Sequence, residues 1–259
     1  MKTIVIFNQK GGVGKTSTVV NLMAEFKRKN YKALAIDLDA QCNLSVFCNI
    51  REPQLSVRDW LLQTSPFGGV VRETRYGDLI PASDTLQIEL LHFASVPAFV
   101  IRLRDLLRAI PADAYDYVLV DCPPTVNQLT AAALVAADYV LIPTETEFFS
   151  ADGVGKIAET VEQVKPLNPA LKVLGVLLVK YNPWRVLTRA LEDKLVNATN
   201  TLLACDVLHT RIRFTVDIPA AQASALSARD YKSGCNAAVD YEALADEIIK
   251  KIGDNTNEK

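Results

Sequence analysis

The sequence predicts an α/β fold in three layers, with a mostly parallel, twisted sheet flanked by helices. Short apolar runs rich in β-branched residues alternate along the chain with stretches whose apolar residues recur at helical spacing. The first run is followed by a glycine-rich turn, and two later runs end in an aspartate. Because α/β sheets bind ligands at the carboxyl ends of parallel strands, this pattern also predicts which edge of the sheet carries function.

The length and composition of the chain suit one folded domain. It has 259 residues, 49% of them hydrophobic, which is enough for a sizeable core. We predict a single domain over residues 1–252 and a polar tail over residues 253–259. The formal net charge of −2 argues neither for nor against nucleic acid, so a DNA site would have to be a local basic patch.

The sequence does not predict a membrane or secreted protein. No run approaches the roughly 18 apolar residues of a membrane span, and residues 3–7 are too short for a signal-peptide core. The five cysteines show no Cys-x-x-Cys pairing and there are only two histidines, so we expect reduced thiols and no zinc or iron–sulfur site. These features predict a cytoplasmic protein without a membrane partner.

The first predicted strand, residues 3–7, leads into a glycine-rich turn that ends in Gly14, Lys15 and Thr16. Helical spacing follows, so the segment has the strand–loop–helix context of a phosphate-binding P-loop. Glycines let backbone N–H groups point at a phosphate, and the dipole of the following helix attracts the same anion. Lys15 can neutralise outer phosphates, and the Thr16 hydroxyl can bind Mg²⁺. The predicted nucleotide-binding residues of this loop are Lys10, Gly11, Gly12, Val13, Gly14, Lys15, Thr16 and Ser17.

Two aspartates mark the end of the second predicted strand, residues 32–37. Asp37 is its last residue, and Asp39 follows two positions later. Both lie where a parallel sheet places its ligand groups. Beside a phosphate-binding loop we favour a functional role for this pair. The alternative is that the two carboxylates cap the next helix.

Residues 50–115 are less regular. We predict a short helix over residues 55–62, a brief strand over residues 78–83 and a helix over residues 98–110. The arginines of the last helix are interpreted as a solvated basic face opposite a core-packed side.

The third buried strand, residues 115–121, ends in Asp121 and is stopped by Pro123 and Pro124. An acid at the end of such a strand, facing a P-loop, occupies the Walker B position. It holds Mg²⁺, usually through water.

Alternating helices and strands continue through the second half of the chain. The predicted elements are helices over residues 129–136 and 153–164 and strands over residues 138–144 and 171–179. Asn182 follows the last of these strands, where an adenine base would lie; a turn residue is an equally good interpretation. The final helix, residues 241–252, has an apolar stripe and a mixed-charge face, which favours packing on the domain over a membrane surface.

Together these motifs resemble those of the ParA/MinD-type ATPases, the deviant Walker A family. The matching segments are Lys-Gly-Gly-Val-Gly-Lys-Thr at 10–16, Leu-Ile-Pro-Ala-Ser at 79–83 and Asp-Cys-Pro-Pro at 121–124. A further segment, residues 37–43, resembles the family's Asp-x-Asp-Pro-Gln-Gly-Asn, with Ala40 in place of the proline and Cys42 in place of the glycine. The resemblance covers nearly the whole chain and points to the P-loop NTPase fold and to the short ParA/Soj type of DNA partition ATPase.

The resemblance implies an ATP hydrolase of weak intrinsic activity, with ATP and Mg²⁺ as cofactors. Lys10, which an ordinary P-loop does not need, would reach the nucleotide of the other subunit in an ATP-bound homodimer; taken alone it fits a solvated loop lysine. Asp39 would orient or activate the attacking water. The implied catalytic residues are Lys10, Lys15 and Asp39, and the implied metal-binding residues are Thr16, Asp39 and Asp121.

The same resemblance implies non-specific DNA binding in the ATP state, hydrolysis triggered by a ParB-like centromere-binding protein, and a nucleoid-associated location. The candidate DNA-binding residues are Arg185, Arg189, Arg211 and Arg213, which also fit a solvated surface. Because the first strand begins at residue 3, we expect no amino-terminal DNA-binding domain. The alternatives are a MinD-like ATPase that positions a membrane-associated or other large cargo, and a binding module that uses nucleotide as a switch.

Overall fold

The computed structural model describes residues 1–86, 98–145, 151–184 and 186–257; the side chains of residues 151–152, 186–191 and 254–257 lie outside that description. The strands are β1 (Lys2–Ile6), β2 (Ala33–Asp37), β3 (Arg72–Thr74), β4 (Gly77–Ile80), β5 (Tyr117–Asp121), β6 (Tyr139–Glu145), β7 (Lys172–Tyr181) and β8 (Val207–Arg213). The helices before residue 110 are α1 (Lys15–Arg28), α2 (Asn43–Phe47), α3 (Val57–Leu61), α4 (Phe67–Val70) and α5 (Phe99–Arg108). Those after it are α6 (Gln128–Ala136), α7 (Ala151–Val164), α8 (Val186–Leu203), α9 (Asp217–Ala223), α10 (Ala228–Tyr231) and α11 (Asn236–Asn257).

The strands form one sheet in the order β3-β4-β2-β5-β1-β6-β7-β8. Each neighbouring pair is parallel except β3 with β4, which is the antiparallel edge. Strand β1 lies between β5 and β6, so its carboxyl end opens beside the ends of both neighbours. The predicted mostly parallel sheet is confirmed, and its order brings the P-loop next to Asp121.

Both faces of the sheet are buried, which makes the fold three-layered. Side chains alternate along β1: Ile4 and Ile6 belong to one apolar cluster, and Val5 and Phe7 belong to the other. The first cluster includes apolar residues of α1 and α11, and the second includes residues of α5, α6 and α7. Strands covered on both sides are continuous apolar runs, and that is why they were recognisable in the sequence.

Several of the elements that were not predicted, among them α2, α4 and β8, are short or lie at an edge of the sheet. Strand β8 carries a histidine and two arginines, and only Leu208 and Ile212 of its residues are buried. Its pairing with β7 is irregular, so no period-two pattern is visible in the sequence. The final helix is longer than predicted, since it begins at Asn236 and ends at Asn257. Extending an existing helix is easier than nucleating a new one, so the polar residues after 252 follow it.

Candidate functional site

The loop between β1 and α1 leaves room for a ligand. Gly12 and Gly14 have φ angles of 76° and 77°, in the left-handed region that glycine adopts without strain. A Cβ built on Gly11, Gly12 or Gly14 would meet nothing within 4 Å, so the backbone faces open space. The first turn of α1 contains no acidic residue, and its positive dipole end is therefore available to an anion.

Lys15 is held inside this loop. Its side chain is 7% exposed, and its Nζ donates to the carbonyl oxygens of Asn8 at 3.2 Å and Lys10 at 2.9 Å. Burial lowers the pKa of Lys15, while the nearby charge of Asp121 partly opposes that shift. An anion in the loop would offer the ammonium a stronger partner than two neutral carbonyl groups.

The Thr16 hydroxyl donates to Oδ2 of Asp121 at 2.7 Å, which joins the start of α1 to the end of β5. Asp121 is 1% exposed, and its Oδ1 has no hydrogen-bond partner among the described residues. Burial raises the pKa of Asp121 well above its ordinary value, and the charge of Asp37 raises it further. A hydroxyl beside a buried carboxylate oxygen without a partner fits the oxygen ligands that Mg²⁺ takes.

Asp37 and Asp39 have different environments. Asp37 is fully buried, and its Oδ2 accepts hydrogen bonds from the backbone N–H of Ser45 at 2.9 Å and the Ser45 hydroxyl at 2.7 Å. Asp37 therefore caps helix α2, as the capping alternative expected, because it accepts from a backbone N–H in the first turn of that helix. Asp39 is half-buried and lines the cleft above the P-loop, while its Oδ1 accepts from the N–H of Gln41 at 3.0 Å.

This cleft, of about 940 Å³, lies at the carboxyl edge of the sheet. It brings together the P-loop, Asp39 and the segment that follows β8. Among the lining residues that sequence reasoning missed are Lys180, Phe214 and Gln222. Phe214 is 62% exposed, and Gln222 donates through Nε2 to Oγ of Ser17 at 2.6 Å. No local motif marks these positions, because the chain reaches the cleft there only through tertiary packing.

Lys10 lies outside that cleft. It lines a second cavity of about 310 Å³, together with Asn8, Thr144 and Lys156. The Asn8 side chain positions this turn, since its Oδ1 accepts from the N–H of Lys10 at 2.9 Å and its Nδ2 donates to the carbonyl of Pro143 at 2.8 Å. The two lysines of the loop thus line different cavities.

Comparison with known proteins identifies the family. A family model described as an AAA domain matches residues 1–173. The chromosome-partitioning ATPase Soj of Treponema pallidum is 34% identical over 256 residues, covering 97% of this chain and 98% of the relative. The chromosome partitioning protein ParA of Caulobacter vibrioides is 32% identical over 260 residues, covering 98% and 96%. The chain belongs to the ParA/Soj family of P-loop ATPases.

Solved structures show the same fold. Cobyrinic acid a,c-diamide synthase from Mycobacterium smegmatis with bound ADP and magnesium has a TM-score of 0.81 at 27% identity, covering 95% of this chain and 93% of that one. The cell division ATPase MinD of Pyrococcus furiosus has a TM-score of 0.77 at 22% identity, covering 96% and 98%. The predicted P-loop NTPase fold is confirmed.

One departure from the family pattern, Cys42, has a left-handed backbone conformation. Cys42, at the position where the ParA/MinD-type motif has glycine, has a φ angle of 55°. This left-handed conformation is unfavourable for a residue with a Cβ. The turn before α2 therefore has a glycine-like geometry at a residue that carries a side chain.

The structure describes the predicted site residues that follow β7 only in part. Asn182 is not among the cleft-lining residues; its Oδ1 accepts from the N–H of Trp184 at 3.0 Å, as a turn residue would. Arg185 lies outside the described residues, and so does the side chain of Arg189.

The two candidate arginines of β8 are engaged in ion pairs. Arg211 pairs with Glu192 of α8 at 2.6 Å, and Arg213 pairs with Asp240 of α11 at 2.6 Å. A phosphate would have to compete with these carboxylates, so neither arginine presents an uncompensated positive charge.

The terminal helix packs as predicted. Tyr241, Leu244, Ile248 and Ile252 of α11 are buried in the same apolar cluster as α1. Within the described ranges, no helix combines the length and the apolar content that crossing a membrane requires.

Proposed function

We propose that this chain is a partition ATPase that binds ATP and Mg²⁺ in the cleft above its P-loop. The observation that carries the proposal is the Thr16–Asp121 hydrogen bond at an open glycine loop, with one oxygen of Asp121 lacking a partner in the part of the chain that the structure describes. The relatives named Soj and ParA are chromosome-partitioning proteins, and the M. smegmatis neighbour holds ADP and magnesium. These likenesses support the same reading.

The predicted site residues in and beside the cleft have separate roles in this proposal. The loop N–H groups bind phosphate oxygens, and Lys15 exchanges its two carbonyl partners for the outer phosphates. Thr16 and Asp121 would hold Mg²⁺, directly or through water, and the ion would neutralise charge on the phosphates when bound. Asp39, which lines the cleft, orients the attacking water. Asn182 is retained as a candidate contact for the base.

Lys10 is proposed to act in a dimer. Because it lines a cavity separate from the cleft of its own chain, its ammonium is suited to the nucleotide of a second copy. ATP would then close two copies face to face, and hydrolysis would release them. Slow hydrolysis in the isolated protein is expected if a partner completes the positioning of the water.

The proposed cargo is DNA, held without sequence preference by the ATP-bound dimer on the nucleoid in the cytoplasm. A ParB-like centromere-binding protein would trigger hydrolysis. Arg185, Arg189, Arg211 and Arg213 are the proposed contacts. Since Arg211 and Arg213 are already paired, each should contribute less to DNA affinity than an uncompensated arginine would.

The decisive experiment compares DNA binding of the apo, ADP and ATP states by gel shift and sedimentation. Of the three states, only the ATP state should be a dimer that shifts any DNA, and its affinity for DNA should fall steeply as the salt concentration rises. Lys15→Ala should abolish ATP binding, and Lys10→Ala should bind ATP yet stay monomeric. Lys27→Ala is the matched control, since Lys27 is an exposed lysine at the other end of α1.

Four outcomes would contradict the proposal in different places. No shift of any DNA at low salt refutes the DNA function, and co-sedimentation of the ATP state with vesicles would favour the MinD-like alternative. Unchanged ATP affinity in Lys15→Ala removes the P-loop assignment. Asp39→Ala should keep ATP binding and lose phosphate release; full release from this variant removes the catalytic role of Asp39.

A further inference from the structure

Lys180, near the carboxyl end of β7, joins three separate parts of the chain. Its Nζ donates to the carbonyl oxygen of Gly12 in the P-loop at 3.0 Å. The same ammonium pairs with Glu145, the last residue of β6, at 2.6 Å. Lys180 also lines the cleft that contains Lys15 and Thr16. One ammonium therefore holds the tip of the phosphate-binding loop to the ends of two neighbouring strands.

The backbone at Lys180 is unusual. Its φ angle is 51°, in the left-handed region that residues with a Cβ rarely adopt. Such a conformation persists only where the surrounding contacts require it, and it occurs often at functional sites. At Lys180 these contacts are the Gly12 carbonyl and the Glu145 carboxylate.

The Gly12 contact matters because of what the loop must do. Gly12 has a φ angle of 76°, and a Cβ built on it would meet nothing within 4 Å, so no side-chain packing at this position fixes the loop. Fixing its carbonyl also fixes the peptide plane, and with it the direction of the next N–H group. A loop held in that arrangement does not have to be ordered by the phosphate when it binds.

The charge of Lys180 is placed to support the same task. Lys15 is buried, and Arg213, another cation that lines the cleft, is paired with Asp240. Lys180 is about half exposed, with a side-chain exposure of 51%. Its ammonium, paired with Glu145, lies at the solvent side of the cleft and does not bear the desolvation that Lys15 bears.

We propose that Lys180 is a positioning residue for the nucleotide: its ammonium holds the carbonyl of Gly12 and keeps the P-loop in the arrangement that accepts phosphate. This inference rests on the proposed ATP-binding function. Lys180 acts through the loop, so its loss should weaken binding of ATP and ADP alike and leave the chemical step nearly unchanged.

The test compares the parent protein with Lys180→Met, which keeps the length of the side chain and removes its ammonium. Calorimetry should show ATP and ADP bound about fivefold to tenfold more weakly, and the KM for ATP should rise by about the same factor with kcat within about twofold. Lys180→Arg should restore most of the affinity, because a guanidinium also donates to a carbonyl. Lys172→Met is the matched control, an exposed lysine at the opposite end of β7.

Glu145→Gln separates the two contacts of Lys180. It removes the ion pair but leaves the hydrogen bond to Gly12 possible, so nucleotide affinity should stay within about threefold of the parent. A loss as large as that of Lys180→Met would overturn the assignment to Gly12. An equal loss in Lys172→Met would show a general effect of surface charge and overturn it too.

The failure of this inference is distinguishable from failure of the proposed function. If the parent binds ATP and Lys180→Met binds it equally well, the positioning role is refuted and the ATPase proposal stands. If the parent binds no nucleotide, both are refuted. Thermal melts of all variants establish that each is folded before affinities are compared.

Discussion

The buried carboxylate of Asp37 makes the stability of the protein depend on pH. Asp37 is fully buried and accepts hydrogen bonds from the Ser45 hydroxyl at 2.7 Å, the Ser45 N–H at 2.9 Å and the Asp39 N–H at 3.1 Å. Burial raises its pKa from 3.8 to about 6, although the Ser45 hydrogen bonds oppose the rise. Asp37 is therefore mostly ionised near neutral pH and mostly protonated near pH 5.

The sign of the effect follows from linkage. In the unfolded chain Asp37 ionises around its ordinary pKa of 3.8, whereas in the folded protein it ionises around 6. The folded state thus binds more protons between these values, so this carboxyl makes the free energy of unfolding fall as pH rises through that interval. The size is about 3 kcal/mol, at about 1.4 kcal/mol per pKa unit. Burial of Asp121 raises its pKa and adds an effect of the same sign.

Replacing Ser45 by alanine tests this account. A hydrogen bond to an ionised group contributes about 1.5–3 kcal/mol, and one to a neutral group about 0.5–1.5 kcal/mol. Ser45→Ala should therefore lower the free energy of unfolding by about 1–1.5 kcal/mol more near pH 7.5 than near pH 5. The Ala82 N–H, which donates to the Ser45 hydroxyl at 2.9 Å, loses its acceptor at both pH values, so its contribution cancels.

Urea unfolding of the parent and of Ser45→Ala, each near pH 5 and near pH 7.5, supplies the four free energies. Ser224→Ala is the control, because that hydroxyl donates only to a backbone carbonyl of its own helix, at 3.1 Å, and its effect should not depend on pH. Equal destabilisation of Ser45→Ala at both pH values would refute the ionised state of Asp37 at neutral pH.

Two further variants test the ion contacts. In Asp121→Asn, the increase in nucleotide affinity that Mg²⁺ provides should be about tenfold or more smaller than in the parent. Because burial raises the pKa of Asp121, the parent should also bind Mg²⁺–nucleotide more weakly as pH falls, and calorimetry showing no change in either case would contradict the metal assignment. In Arg213→Ala the carboxylate of Asp240 stays buried but loses the guanidinium that pairs with it. The free energy of unfolding should fall by only about 1 kcal/mol, because solvent screens the partly exposed arginine. Lys165→Ala, which breaks an exposed pair with Glu162, should cost less than about 0.5 kcal/mol in the same urea titration, and equal losses would show that burial of Asp240 is irrelevant.

Much of the nucleotide site was predictable because its parts are local in sequence. The loop over residues 10–17 connects a strand to a helix, and its glycines and lysine lie within one contiguous segment. Asp121 was predictable for a related reason: it ends an apolar run, and parallel strands open at one edge of the sheet. The hydrogen bonds of Asp37 to Ser45 required coordinates, because in the sequence Asp37 and Asp39 follow the same strand.

By itself, the sequence determined the order of strands and helices, the P-loop and the acids beside it. Tertiary structure decided the contacts between segments far apart in the chain: Lys180 with Gly12, and Gln222 with Ser17. It also placed Lys10 in a cavity outside the cleft and paired Arg211 and Arg213 with carboxylates of other helices. The physical reason is that apolar periodicity specifies which face of an element is buried, whereas the partner of an exposed charge depends on which strands become neighbours in the sheet.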